Sequence, residues 1–335
     1  MPLPELKLIS RVRRLAAQPA VGRSRSSRVG RVVAGMGDDC AILRIPADHD
    51  TLVTTDFSLE GVHFRRGWHP PDSVGHRCLA RGLSDIAAMG GEPVAAFLSL
   101  ALPARLPQKW VDEFFKGFQR LATQFNVELA GGDTAESREG VLADVVVIGS
   151  APRGQAILRS GARPGDRIYV TGKLGGSAAT LGILYSDAKA RTSPRLFPRH
   201  YFPQPRINIG KILREKEIAS SMIDLSDGLS TDLRHICGES RTGAEIWEKR
   251  IPRARVGNSP RKVSVDFALH GGEDYELLFT ARQETRVPSS IADVRVTEIG
   301  LVTEDSKKIL LRSRNSMREL PARGWEHFRQ PSPHK

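Results

Sequence analysis

The sequence predicts a mixed α/β (or α+β) protein of two domains, on three observations. Short β-branched runs alternate with stretches of helical periodicity along the whole chain. At 335 residues it exceeds one average domain and falls short of three, so each half can bury its own core. The 31 Gly and 21 Pro are scattered, which fits a turn-rich globular chain rather than a fibrous one.

From the start, residues 1–20 read as an amphipathic helix with Lys7, Arg11, Arg13 and Arg14, lacking the apolar stretch and cleavage site of an export signal. A β-branched run at 51–55 reads as a strand. The most apolar region, 85–104, is broken by Asp85, Glu92 and Pro93, so it reads as a helix then a strand and not as a membrane span. Behind Pro107, the residues Trp110, Val111, Phe114, Phe115, Phe118, Leu121, Ala122 and Phe125 recur at helical spacing and predict a core helix. Strand-like runs follow at 127–130, 141–151 and 167–171, the last two separated by the turn-rich SGARPGD. A boundary near 149–154 divides the chain into domains 1–150 and 151–330. GKLGGS at 172–177 has its Lys before the glycines, so it is no P-loop and reads as a strand-to-helix turn. Helical patterns cover 176–184, 204–215 and 226–237, and strands are expected at 221–224, 275–280 and 296–302.

Cys40, Cys78 and Cys237 lie far apart without a C-x-x-C pair, which excludes a zinc framework and suits a cytoplasmic setting. The net charge of +12 and the run RSRSSRVGR at 23–31 raise a nucleic-acid reading, against which stands a solvated basic loop.

Six segments repeat one pattern, apolar residues meeting Gly, Ser or Thr and then acids: 35–43, 51–64, 82–93, 129–137, 222–233 and 268–279. Their 68 residues contain no Lys or Arg, where an even spread would place about 10. One such segment is an ordinary turn. Six alike, several at strand ends, point to carboxylates gathered around cations. Hard oxygen donors without His or Cys select Mg²⁺, Mn²⁺ or Ca²⁺ over zinc or copper, and Mg²⁺, which bridges carboxylates to phosphate oxygens, makes a nucleoside triphosphate the economical inference.

The stretches GDDCAI, TTDFSLEGVHF, LSDIAAMGGEP, GGDT, RSGARPGD, IDLSDGL and GGEDYEL, in this order, resemble thiamine-monophosphate kinase of the aminoimidazole-ribonucleotide (AIR) synthetase superfamily, up to GWEHF near 324. The resemblance implies an N-terminal α/β domain pairing its sheet with a twin in a homodimer, and a C-terminal α/β domain. It implies direct in-line transfer of the ATP γ-phosphoryl group to thiamine monophosphate, with several Mg²⁺ ions. By matching position, the Mg²⁺ ligands would be Asp39, Thr54, Thr55, Asp56, Asp85, Asp133, Asp224 and Asp227, with Asp38 as a neighbour. Gly132, Asp133, Arg159 and Ser226 would contact ATP, and His63, Glu273 and Trp325 thiamine phosphate. No general base is implied, since the acceptor phosphate is already ionised. Structural alternatives stand beside these roles: a satisfied strand-end His63, a surface Arg159, a C-terminal core anchor in Trp325, and helix caps in Asp224 and Asp227. Two other functions remain open at this point, another ATP-dependent enzyme of the superfamily and a basic nucleic-acid-binding protein.

Overall fold

The structure, a computed structural model, describes residues 1–16, 31–36, 39–186, 193–306 and 308–328. Asp38 and most of the basic run at 23–31 lie outside the described residues. In chain order the first elements are α1 (Glu5–Ala16), β1 (Arg31–Ala34), β2 (Ile42–Arg44), β3 (His49–Leu59), α2 (Pro71–Ala88), β4 (Glu92–Pro103), α3 (Gln108–Phe125), β5 (Glu128–Ser137) and β6 (Leu142–Pro152). Then come β7 (Arg167–Thr171), α4 (Gly176–Ser186), α5 (Pro198–Tyr201), α6 (Ile207–Glu215), β8 (Ser221–Asp224), α7 (Leu229–Ser240), β9 (Gly243–Trp247) and α8 (Val265–His270). The chain closes with β10 (Leu277–Ala281), β11 (Ser290–Ile291), β12 (Val294–Thr303), β13 (Ile309–Arg312) and β14 (Met317–Glu319).

Two compact units result, Met1–Ala156 with Tyr201–Glu215, and Ile157–His200 with Lys216–Lys335. The sequence reading puts 201–215 in the second domain. Instead, buried Ile207, Ile209 and Leu213 turn α6 toward α2, and buried Arg214 donates from Nε to the Gly90 carbonyl at 2.7 Å. A charge that deep is tolerable only when hydrogen-bonded, so this contact fixes the segment in the first unit.

In the first unit a four-stranded sheet runs β3-β6-β4-β5, antiparallel except for the parallel β4/β5 pair, with β1 and β2 a separate hairpin. Strand alternation puts Leu52 of β3 and Ala143, Val145 and Val147 of β6 on the buried face, where α2 packs. The aromatic stripe of α3 forms core as expected, with Val111, Phe114, Phe115, Phe118 and Leu121 buried, Trp110 and Phe125 partly so. That helix ends on Asn126 in the left-handed region, a conformation Asn tolerates. On the opposite face Val53 and Phe57 are 65 % and 54 % exposed.

In the second unit the sheet runs β14-β13-β9-β12-β7-β10-β8, with β11 beside β12 and only β13/β9 parallel. Its core joins Ile168, Val170, Leu278 and Ile299 of the sheet to Leu229, Leu233 and Ile236 of α7. Among the described residues no helix is long and apolar enough to cross a membrane.

Candidate active site

In the first unit two groups of implied ligands form separately. At the edge strand β3, Thr54 Oγ1 donates to Asp85 Oδ2 of α2, and Asp56 faces the same carboxylate. Burial, and then the charge of Asp85, push the Asp56 carboxyl up to about 7. On the other face Thr55 Oγ1 donates to Asp144 Oδ1 at 2.8 Å. His63 closes the turn after β3, its Nδ1 accepting the Leu59 N–H at 3.0 Å, so the strand-end role is realised at that nitrogen.

The second group lies at the opposite edge. A cavity of about 700 Å³ is lined by Ile9 and Val12 of α1, Asp39, Phe97, Phe115, and the Gly132–Asp133 pair of β5. Gly132 has φ +149, and a Cβ there would overlap the Leu98 carbonyl, so only glycine lets β5 lie this close to β4. The register Asp56, Val145, Leu98, Gly132 runs straight across the sheet, and strand alternation turns Asp133 to the face opposite Asp56. Three strand spacings of ~4.8 Å therefore separate the two groups by roughly 14 Å.

In the second unit three loops interlock through their backbones. Ser226 O accepts the Glu273 N–H at 2.7 Å, Leu225 O the Tyr275 N–H at 2.9 Å, and Asp227 O the Trp325 N–H at 3.1 Å. Glu273 and Tyr275 both hold positive φ, 63° and 49°, and such strain persists only where surroundings enforce it. The enforcing contact is Asp274 between them, which accepts the N–H groups of Gly175 and Gly176 at 2.6 and 3.2 Å. Burial pushes its carboxyl up to about 7. The residue at the start of α7 that caps is Gly228, without a side-chain bond, so neither Asp224 nor Asp227 plays the capping role held open above. The N–H groups of Asp227 and Gly228 are taken instead by buried Asp232, whose carboxyl is raised well above its ordinary value by burial and then by Asp224 and Asp227. Ligand atoms of Asp227, Asp232 and His235 lie within 4.8 Å of one another.

The Asp56–Asp85 pair with Thr54, and the Asp227–Asp232 pair, offer hard oxygen donors that fit Mg²⁺, and at Asp56 and Asp232 burial first and neighbouring carboxylates second raise the pKa, a load that a bound cation would offset. Trp325 is 54 % exposed and so is no core anchor. Arg159 is exposed, and its carbonyl accepts the Ser240 hydroxyl at 3.1 Å.

Thiamine-monophosphate kinase of Escherichia coli K12 is 39 % identical to this chain over 318 residues, covering 92 % of this chain and 96 % of its own. The chain belongs to the thiamine-monophosphate kinase family. The Bacillus subtilis thiamine-monophosphate kinase is 33 % identical over 89 % of this chain and 94 % of its own. Residues 37–151 match the family model "AIR synthase related protein, N-terminal domain". Among solved structures, thiamine-monophosphate kinase from Stenotrophomonas maltophilia K279a superposes with a TM-score of 0.77 at 32 % identity, covering 94 % of this chain and 98 % of that one. AaThiL complexed with AMPPCP and TMP superposes at 0.73 with 33 % identity, covering 84 % and 89 %.

Set beside the thiamine-monophosphate kinase motifs, four positions stand out that the sequence reading assigned no ligand or nucleotide role. Asp144 is hidden in the apolar run of β6, where only strand parity marks it, and Asp232 reads as one more acid of α7. Phe97 and Phe115 wall the cavity, and Phe115 is at once core and lining.

Proposed function

We propose that this chain transfers the γ-phosphoryl group of ATP directly to the phosphate of thiamine monophosphate, giving thiamine diphosphate and ADP. The observation that carries this reading is the pair Asp56 and Asp85, two carboxylates pressed together beside Thr54 with one forced toward neutrality. Such a pair stores repulsion that a divalent cation and its phosphate partner relieve.

Within the first unit the apolar cavity suits the base of ATP, with Gly132 and Asp133 at the start of its phosphates. Thr54, Asp56 and Asp85 would hold Mg²⁺ at the α2 face, Asp39 and Asp133 beside the cavity, and Asp224 and Asp227 in the second unit, whereas the Thr55 side chain turns to the other face toward Asp144 and could join the first group only through its backbone. Bound Mg²⁺ supplies charge neutralisation for the transferring phosphoryl group. Ser226 and Arg159 are assigned to ATP. Glu273 and Trp325 are assigned to the thiamine moiety, a carboxylate and an aromatic face suited to its thiazolium cation, and His63 to its phosphate end. The chain's own work is positioning, because an ionised acceptor needs no base. We further propose a homodimer formed through the open face of the first unit's sheet. The use of ATP and the three free thiols support a cytosolic setting.

The test is thiamine diphosphate formation by purified protein from ATP and thiamine monophosphate. Asp56→Asn should lower kcat by about 10²-fold or more, while the metal-free variant melts higher than wild type because the repulsion is gone. Absence of thiamine diphosphate with the wild type, at any Mg²⁺ concentration, sinks the assignment.

A further inference from the structure

Three consecutive backbone N–H groups of the loop that carries Trp325 point at one segment, 227–231. Arg323 N donates to Ser230 Oγ at 3.4 Å, Gly324 N to Thr231 Oγ1 at 3.0 Å, and Trp325 N to the Asp227 carbonyl at 3.1 Å. Nothing bulkier than glycine fits the middle position, since a Cβ on Gly324 would collide with the Asp227 carbonyl and crowd Thr231 Oγ1. Ser230 is fully buried, and its hydroxyl also lies 2.8 Å from His270 Nδ1, one residue before the glycines that lead to Glu273. Ser230 Oγ accepts the Arg323 N–H and shares a second hydrogen bond with His270 Nδ1, whose direction follows the imidazole tautomer.

We propose that Thr231 and Ser230 are positioning residues for thiamine recognition, holding the Trp325 loop on the first turn of α7. Trp325 itself is 54 % exposed, and its ring meets that of His327, two residues on in the same loop, edge to face at 5.5 Å. The three amide bonds set the backbone from which the indole projects. Ser230 ties the same turn to His270, so the loops of Trp325 and Glu273 share one anchor. The assignment rests on the proposed reaction, with Trp325 and Glu273 at the thiamine end.

The roles separate kinetically. Thr231→Val keeps the shape and removes the acceptor, leaving the Gly324 N–H unpaired. We expect KM for thiamine monophosphate to rise about tenfold, with kcat and KM for ATP within about twofold of wild type, and Thr231→Ser to restore the wild-type value. Ser230→Ala should raise the same KM, and calorimetric titration with thiamine monophosphate should show the same loss in both variants. Equal rises in both KM values, or an unchanged KM for thiamine monophosphate in Thr231→Val, overturn the assignment while leaving the reaction intact. A wild-type chain that phosphorylates no thiamine monophosphate removes the reaction and this assignment together. Should Thr231→Val melt far below wild type, Thr231→Ser decides: a stable serine variant with raised KM for thiamine monophosphate also overturns the positioning role.

Discussion

Ile9 lines the cavity assigned to the nucleotide base yet keeps 39 % of its surface in solvent, so enlarging it fills the cavity without emptying the core. Ile9→Trp should raise KM for ATP about tenfold and leave KM for thiamine monophosphate unchanged, as read from initial rates. An unchanged KM for ATP places the base elsewhere. Residues of this cavity were unequally legible. Asp39, Gly132 and Asp133 announce themselves because acids and glycines without nearby bases are unusual in a chain of net charge +12. Ile9, Phe97 and Phe115 do not, because an apolar wall facing a ligand has the same composition as one facing a core. Asp144 fails for another reason. Its partner Thr55 is 89 positions away, and only the β3/β6 register brings them together.

At the scale of elements, α2 shows how burial enters pH dependence. Its His76 is almost fully buried, with Nε2 2.7 Å from the Pro203 carbonyl and Nδ1 without a hydrogen-bond partner. The neutral ring therefore donates from Nε2, and burial lowers its pKa to about 4, with Arg120 and Arg77 adding to the effect. The unfolded chain takes up this proton near pH 6.5 and the folded one only near pH 4, so stability is intact above 6.5 and falls as pH drops through that window. Between pH 7 and pH 5 wild type should lose about 2 kcal/mol that His76→Gln does not lose, read from urea midpoints at the two pH values. Equal pH slopes in the two proteins would remove His76 as the cause. Periodicity exposes α3, whose single apolar stripe faces inward, and the β-branched run marks β7. Periodicity hides the first three turns of α2, because 14 of its 18 residues are buried and no polar face remains to mark a period. The short strands β1, β2, β13 and β14 escape as well, being too brief to alternate.

For the whole molecule, length alone pointed to two halves, but not to the return of 201–215 to the first unit. That return rests on α6 packing against α2 and on Arg214 bonding to the Gly90 carbonyl 124 positions away, contacts that no local pattern encodes. The proposed homodimer is argued at the same scale. Val53, Phe57 and Leu142 are exposed on one face of the first unit's sheet, and register sets half-buried Val146 and Ile148 beside them. These apolar side chains flank the hydrogen-bonded pair Thr55–Asp144 on the same face, and left in water they cost about 25 cal/mol for each Å². A twofold interface meets that cost symmetrically, since the same patch serves both copies. Val53→Glu puts two carboxylates near such an axis while changing a side chain already 65 % exposed, so folding of the unit is spared. Sedimentation velocity should then show a wild-type dimer and a Val53→Glu monomer with an unchanged melting profile for the monomer's core. A wild type that sediments as a monomer at micromolar concentration, or a variant that stays dimeric, would assign this face to something other than a second copy.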